Sequence, residues 1–544
     1  MDKKELGFRL ERIAALLELK GENPFKVRAF ANAARLVPSL PDLEERIAAG
    51  TLTEIKGIGA SLAEIVTGLW TTGTHPAVAE IEGHFPPGLL ELFEIPGLGP
   101  KKIRALHEEL HIASPQELKY AVYENRLLDL PGFGKKSQEK IGAELARRER
   151  LRGRLLLDAA IRQAEAVRRN VPSLLECGEL RRLMPVVSCL EFLAPPNLAI
   201  QSIITALPGF TWKNEEGLLR GRAEGSATET LIRLCRGNKW LDLFEATGSP
   251  EHLRQVRERG PLPSDPRSEE EIYAAAGLPW IPPEIREGRG EVDLAATGRL
   301  MDIVAYEDLR GCFHNHTTES DGASTLEEMR SAAATLDWAF LGIADHSQSA
   351  KYARGLEPER LLKQVERIRI LNASSGFRLF SGTESDILPD GEVDYPDDVL
   401  ARLDYAVASI HSSFQLDEQK QTQRLCSALS HPAVKILGHP TGRLLLGRDG
   451  YPVDMDTVME AARRYGKAIE INANPHRLDL DWTRLERAQA LGIPICINPD
   501  AHEASHLADV RYGVWAARKG LLRKENCMNT WSVEEIAEFF GRNR

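Results

Sequence analysis

The sequence predicts a multidomain protein with an all-α N-terminal part and a C-terminal α/β domain on a parallel sheet. Three observations predict it. At 544 residues the chain is long enough for several domains. Through residues 1–75 apolar side chains recur at the i, i+3, i+4 spacing of one helix face. From about residue 308 short apolar runs alternate with helical stretches, the texture of strands joined by crossover helices.

Composition narrows the class. Charged residues make up 27% and hydrophobic residues 42%, ordinary for a globular protein. A net charge of −11 argues against a protein that coats nucleic acid wholesale, although a global sum hides local patches. The seven cysteines show no Cys-x-x-Cys pairing and read as free thiols of a reducing compartment. The chain opens Met-Asp-Lys-Lys-Glu without an apolar leader, and nowhere do 18 apolar residues run together. The expectation is a cytoplasmic protein with no membrane partner.

In the N-terminal part, Leu10, Ile13, Leu16 and Leu17 form one helical stripe, and Phe30, Ala33, Ala34 and Val37 form the next. A small repeat follows: Ile55-Lys56-Gly57-Ile58-Gly59, Ile95-Pro96-Gly97-Leu98-Gly99 and Leu130-Pro131-Gly132-Phe133-Gly134, spaced by 40 and 35 residues. Each precedes a helical pattern, and the repeat resembles the helix-hairpin-helix motif. The glycines allow positive φ and a close approach by a backbone phosphate. The amides opening the following helix then face that phosphate with the positive end of the helix dipole. Lys101 and Lys102, and Lys135 and Lys136, stand where cations reinforce the contact, whereas the first repeat has Ala60 and Ser61. One such turn would be a tight helix connection; three in register favour DNA. The contact reads no base, so the expected binding is not sequence-specific.

This front half resembles that of a bacterial family-X DNA polymerase, a small 5′-phosphate-binding domain (1–75) followed by a fingers-like domain (76–150). Asn23-Pro24-Phe25-Lys26-Val27-Arg28-Ala29-Phe30 fits the first domain, with Lys26 as an implied phosphate contact. Family members with lyase activity carry a Schiff-base lysine where this chain has Ile65, which argues against that activity.

The resemblance implies an α+β nucleotidyltransferase palm across 151–300, with a Gly-Ser turn for the triphosphate and three aspartates for two Mg²⁺ ions. The matching stretches are Gly178-Glu179-Leu180-Arg181-Arg182 and Ser188-Cys189-Leu190-Glu191-Phe192-Leu193. Glu179 replaces the serine, Cys189 and Glu191 replace the paired aspartates, and the third falls near Thr230. A shifted register could restore one carboxylate, hardly three. The palm is expected to be a degenerate scaffold. Thr247-Gly248-Ser249 and 272–284 resemble the family's turn and the end of its thumb, with a trimmed thumb between.

In the C-terminal part (301–544) apolar runs end repeatedly in polar residues: 339–344 in Asp345-His346, 378–383 in Glu384, 405–410 in His411, 434–438 in His439 and 494–499 in Asp500-Ala501-His502. Helical stretches such as Thr325–Thr335 and Pro358–Leu371 fit the crossovers. In a parallel barrel, side chains at carboxyl ends of strands converge on one mouth. Ahead of them lies Phe313-His314-Asn315-His316, whose histidines point the same way at the end of an expected strand, and Ser320-Asp321-Gly322, where a loop can turn Asp321 back. Imidazole with carboxylate suits Zn²⁺, Mn²⁺ or Fe²⁺.

These residues resemble the PHP (polymerase and histidinol phosphatase) domain, a distorted (β/α)7 barrel with a centre of three metal ions. The resemblance implies nine ligands: His314, His316, Asp321, His346, Glu384, His411, His439, Asp500 and His502, with Glu384 bridging. It places the catalytic step on His314, His316, Glu384, His439 and Arg443, and makes Lys351, Arg354 and Arg443 candidates to grip the substrate phosphate. Cys312 stands where the family often has an aspartate, which puts support for His314 in doubt. The activity implied is metal-dependent phosphoester hydrolysis on DNA, a 3′→5′ exonuclease or 3′-end processing function with synthesis lost. The alternatives are a small-molecule phosphatase of the histidinol-phosphatase kind, an active family-X polymerase and a non-catalytic DNA-binding scaffold.

Overall fold

In the computed structural model, described for residues 3–40, 42–373 and 376–542, the chain forms two compact units, Met1–Arg152 and Gly153–Arg544. All three expected structural classes are present, all-α first, α+β next and parallel α/β last.

The first unit is entirely helical. Its opening helices, Lys3–Lys20 and Pro24–Leu36, bury Leu10, Ile13, Leu16, Leu17, Phe30 and Ala33, the stripe that the spacing marks. A second core gathers Leu92, Ile95, Leu98, Ile103, Leu130, Phe133 and Ile141. Each Gly-x-Gly repeat adopts one shape. A short 3₁₀ turn (Leu52–Glu54, Leu92–Glu94 or Arg126–Asp129) leads through the turn into a helix (Ala60–Thr72, Pro100–Leu110 or Lys135–Leu151). Gly57, Gly97 and Gly132 take φ of 101°, 86° and 83°, which a side chain would resist. Gly59, Gly99 and Gly134 open the helices with no side-chain cap, and nothing crowds any of the six glycines.

The second unit holds two sheets and a small pair. Strands β1 (Leu155–Leu156) and β3 (Val186–Val187) pair antiparallel. A five-stranded sheet runs β2 (Leu175–Glu176), β4 (Cys189–Ala194), β7 (Glu229–Leu234), β6 (Leu218–Ala223) and β5 (Phe210–Glu215), with only β4 and β7 parallel. Their register corrects the sequence alignment. Thr230 pairs with Leu190 and is buried on the other face. The residue beside Cys189 is Glu229, so the face carries two carboxylates, Glu191 and Glu229.

Strands β8 (Phe340–Ile343), β9 (Arg378–Asp386), β10 (Tyr405–Ser409), β11 (Val434–Leu437), β12 (Ala468–Asn472) and β13 (Ile495–Asn498) form a parallel sheet in sequence order. Residues 312–316 bridge its two edges. On one side Gly342 and Ala344 amides donate to the Cys312 and Asn315 carbonyls; on the other the His316 amide donates to Ala501. The stretch is extended but makes only an isolated bridge, not the regular strand that the His-x-His spacing suggests. At the strands' amino ends, Phe313, Phe340, Phe380 and Tyr405 pack on Phe540 of the C-terminal helix Val533–Gly541. That aromatic floor leaves the carboxyl ends to carry the chemistry.

Residues on either side of position 300 share one hydrophobic core, which runs from Leu157, Phe192 and Ile232 to Leu341, Ile471 and Ile497. Lys519, buried, stitches across it by donating to the carbonyls of Arg182 and Glu284 and pairing with Glu287 at 2.8 Å.

Candidate metal centre

All nine expected ligands meet at the carboxyl ends of the strands. Gly322 brings Asp321 back: a Cβ there would lie 2.7 Å from the His316 carbonyl oxygen, so only glycine fits the return. Gly438 serves similarly before His439, where a side chain would collide with Ser409 and Val407. Asp500 is held at φ 53°, a left-handed geometry that costs energy in a non-glycine residue and is sustained by its surroundings.

Glu384 is the centre of the group. Its carboxylate lies 3.3 Å from His314 Nε2, 3.8 Å from His316 Nε2 and 2.9 Å from His346 Nδ1. His411 Nε2 is 3.2 Å away and His439 Nε2 3.0 Å. Asp500 approaches His316 at 3.0 Å, and Asp321 faces His502 at 3.4 Å and His346 at 3.7 Å. Three overlapping groups each keep their donor atoms within 4.8 Å of one another: His316, Asp321, His346 and His502; His314, His316 and Asp500; His346, Glu384 and His411.

The donors fit divalent cations. His314 Nε2, His316 Nδ1, His346 Nδ1 and His439 Nδ1 are buried without a hydrogen-bond partner. Native proteins leave few buried polar atoms so, and imidazole nitrogens crowded against carboxylates are the ligand type of Zn²⁺, Mn²⁺ and Fe²⁺. Burial opposes the charge on Glu384, but His411, His314 and His346 outweigh it and hold its carboxyl well below the usual range. Burial likewise disfavours charge on His411, yet Glu384 and the bond to Asp386 carry it up to about 10. His316 goes the other way, to about 4, through burial and its neighbours His502 and His346.

The supporting residues differ from the expectation at Cys312. That thiol is fully buried, burial pushes it up to about 12, and it packs on Asn315. His314 is instead oriented by Glu470 of β12, whose carboxylate takes its Nδ1 at 2.8 Å and also accepts from the His439 amide and Asn498. Asp386 does the same for His411 at 2.5 Å. Asp345 ties Thr317, Ser320 and Gln364 together under the His-x-His loop. Reading the sequence left Glu470 and Asp386 without a role. The available signal was a carboxylate inside an apolar strand, which needs a buried partner.

The phosphate candidates separate. Arg443 pairs with Asp481 at 2.5 Å and donates to the carbonyls of Arg477 and Leu478, so it braces a loop. Lys351 and Arg354 are exposed. Arg477, which sequence reading passed over, is half-buried with its Nε 3.9 Å from Asp500. In the first unit Lys101, Lys135 and Lys136 are exposed at the hairpins, while Lys102 leans on the Gly97 carbonyl and the Phe133 ring and Lys26 pairs with Glu22 at 2.7 Å.

On the palm face, Arg233 pairs with Glu191 at 3.0 Å, and Arg220 and Arg222 pair with Glu229. Guanidinium groups occupy the carboxylates that a cation would need.

Fold and site together define a barrel of the metallo-phosphoesterase type, preceded in the sequence by helix-hairpin-helix modules. The helix-hairpin-helix domain model matches residues 1–75, and the SAM-like helix-hairpin-helix tandem model matches 89–147. Over 579 aligned residues, covering 100% of both chains, the protein is 36% identical to the DNA polymerase/3′-5′ exonuclease PolX of Bacillus subtilis (strain 168). The chain belongs to the PolX family. A probable phosphatase of Caldanaerobacter subterraneus is 27% identical over 243 residues, 42% of this chain and 91% of its own. One from Caldicellulosiruptor bescii is 32% identical over 206 residues, 35% and 78% of the two chains. Among the described residues no helix is long and apolar enough to cross a membrane.

Proposed function

We propose that this protein is a metal-dependent phosphoesterase acting on DNA, a 3′→5′ exonuclease or 3′-end processing enzyme, whose palm no longer polymerises. The observation that carries the reading is Glu384 ringed by five imidazoles in a chain that also bears three open hairpins. In this division residues 1–75 and 76–150 hold DNA by its backbone without regard to sequence, 151–300 serve as scaffold and 301–544 cut.

Three divalent ions, Mn²⁺, Zn²⁺ or Fe²⁺, fit the nine ligands. When bound they supply Lewis acidity and a water of lowered pKa. The chain's own residues do the rest. Glu470 and Asp386 fix the imidazoles of His314 and His411, and the apolar strands beneath exclude bulk water. Arg477, half-buried beside Asp500, is the arginine assigned to grip a phosphate oxygen, in preference to Arg443, which Asp481 holds.

The test is digestion of a 5′-labelled primer–template with Mn²⁺, with and without dNTPs, comparing wild type with His346→Ala. Stepwise shortening is expected, and the variant should lose at least about a hundredfold, the upper range for losing a residue that merely supports a ligand. Extension with dNTPs would overturn the inactive palm. The partial-length phosphatase relatives favour one second reading, a small-molecule phosphatase; intact DNA together with cleaved p-nitrophenyl phosphate would put it first.

A further inference from the structure

Tyr352 stands at the mouth of the metal centre with 70% of its surface exposed. Its ring centroid is 6.1 Å from that of His346 and 6.4 Å from that of His411. A single exposed tyrosine on a protein surface ordinarily needs no explanation. Two observations set this one apart.

The first is that its turn is braced. Tyr352 is the middle residue of the 3₁₀ turn Lys351–Ala353, whose neighbours Ala350 and Ala353 are buried. The Ser347 amide donates to the Glu384 carbonyl, and the Ser349 hydroxyl donates to Asp386 at 2.8 Å. The Leu356 amide closes the loop on the His346 carbonyl, and a side chain at Gly355 would overlap Ser347. The aromatic ring is therefore presented from the same backbone that carries Glu384 and His346. Such rigidity spends less entropy on binding than a floppy side chain would.

The second is its company. Lys351 precedes it in the chain and Arg354 follows two residues later, both exposed and neither with an ion-pair partner among the described residues. An exposed aromatic with exposed cations on the same turn is the chemistry that holds single strands, with a base stacked on the ring and phosphates drawn to the cations. A small aliphatic phosphomonoester such as glycerol phosphate offers nothing to stack.

We propose that Tyr352 is the platform on which the 3′-terminal base of a DNA strand stacks while its phosphodiester lies on the metal centre, with Lys351 and Arg354 holding the adjoining phosphates. It makes Tyr352 a specificity-determining residue, favouring a strand over a small ester. The inference rests on the nuclease reading above.

The experiment compares wild type with Tyr352→Ala, Tyr352→Phe and Tyr352→Trp, using a 5′-labelled single-stranded oligonucleotide and glycerol phosphate as substrates in Mn²⁺. Losing one base stack should raise KM for the oligonucleotide by about 5- to 100-fold in the alanine variant. Its kcat should move less, and its preference for oligonucleotide over glycerol phosphate should narrow. The phenylalanine and tryptophan variants, which keep a ring, should stay near wild type. A wild-type KM in Tyr352→Ala overturns the proposal, as does a phenylalanine variant as impaired as alanine. A parallel titration with an oligonucleotide ending in 2-aminopurine separates the two readings. If wild type leaves DNA uncut, the nuclease reading falls, but quenching by wild type and Tyr352→Phe and not by Tyr352→Ala still supports the stack. Equal quenching by all three overturns it.

Discussion

At the scale of single residues, the site depends on side chains that touch no substrate. Glu470 is wholly buried, and its charge is compensated by His314, the His439 amide and Asn498. Replacing it with glutamine keeps the shape but removes the charge that aligns and polarises His314. Glu470→Gln should weaken Mn²⁺ binding about 10- to 100-fold, measured by competitive metal titration, with all nine ligands still present. Unchanged affinity would mean that His314 is placed by packing alone. The candidate ligands His346, Glu384, His411, His439, Asp500 and His502 were visible in the sequence because they follow apolar runs, whereas His314, His316 and Asp321 stood out only by the His-x-His pair and the Asp-Gly turn. Glu470 was not visible, since it lies inside a strand and its partner is 156 residues away. The Arg443 contact was hidden for the same reason: Asp481, 38 residues downstream, holds a guanidinium that looks free in one dimension.

Among elements, the hairpins were the easiest to read. Gly-x-Gly demands positive φ, and all three first glycines adopt it in front of uncapped helices. Their lysines were read less well, because Lys102 folds back onto its own turn while Lys135 and Lys136 stay exposed. The double variant Lys135→Ala/Lys136→Ala should bind duplex DNA more weakly at low salt, to a similar degree for any sequence. Its slope of log affinity against log salt should flatten by about 0.9 for each phosphate no longer neutralised. Fluorescence anisotropy over a salt series checks this, and an unchanged slope would place the DNA-binding cations elsewhere. The His-x-His segment was harder. Periodicity suggests a strand, but the stretch closes the barrel with a few bonds to each edge, because its side chains serve the site rather than a ladder.

For the whole molecule, the telling feature is that residues 153–300 and the barrel share one core. Sequence texture changes near residue 300, yet Leu157, Phe192 and Ile232 share a core with Leu341, Ile471 and Ile497. Texture reports local periodicity; it carries no information on which apolar faces pack together across the chain. Lys519 is the polar counterpart of that core. Its ammonium is taken out of water and compensated by two carbonyls and Glu287, so removing it leaves buried acceptors without a donor. Lys519→Met should cost about 3 kcal/mol and lower the melting temperature of residues 153–544 by several degrees. Scanning calorimetry distinguishes what the 153–300 segment is for. If it is part of the barrel's folding unit, the transition shifts as one peak and nuclease activity disappears with it on heating. If a separate, earlier peak splits off while the barrel's melting and activity stay in place, the 153–300 segment is a passenger and the shared core contributes little to holding the candidate metal centre.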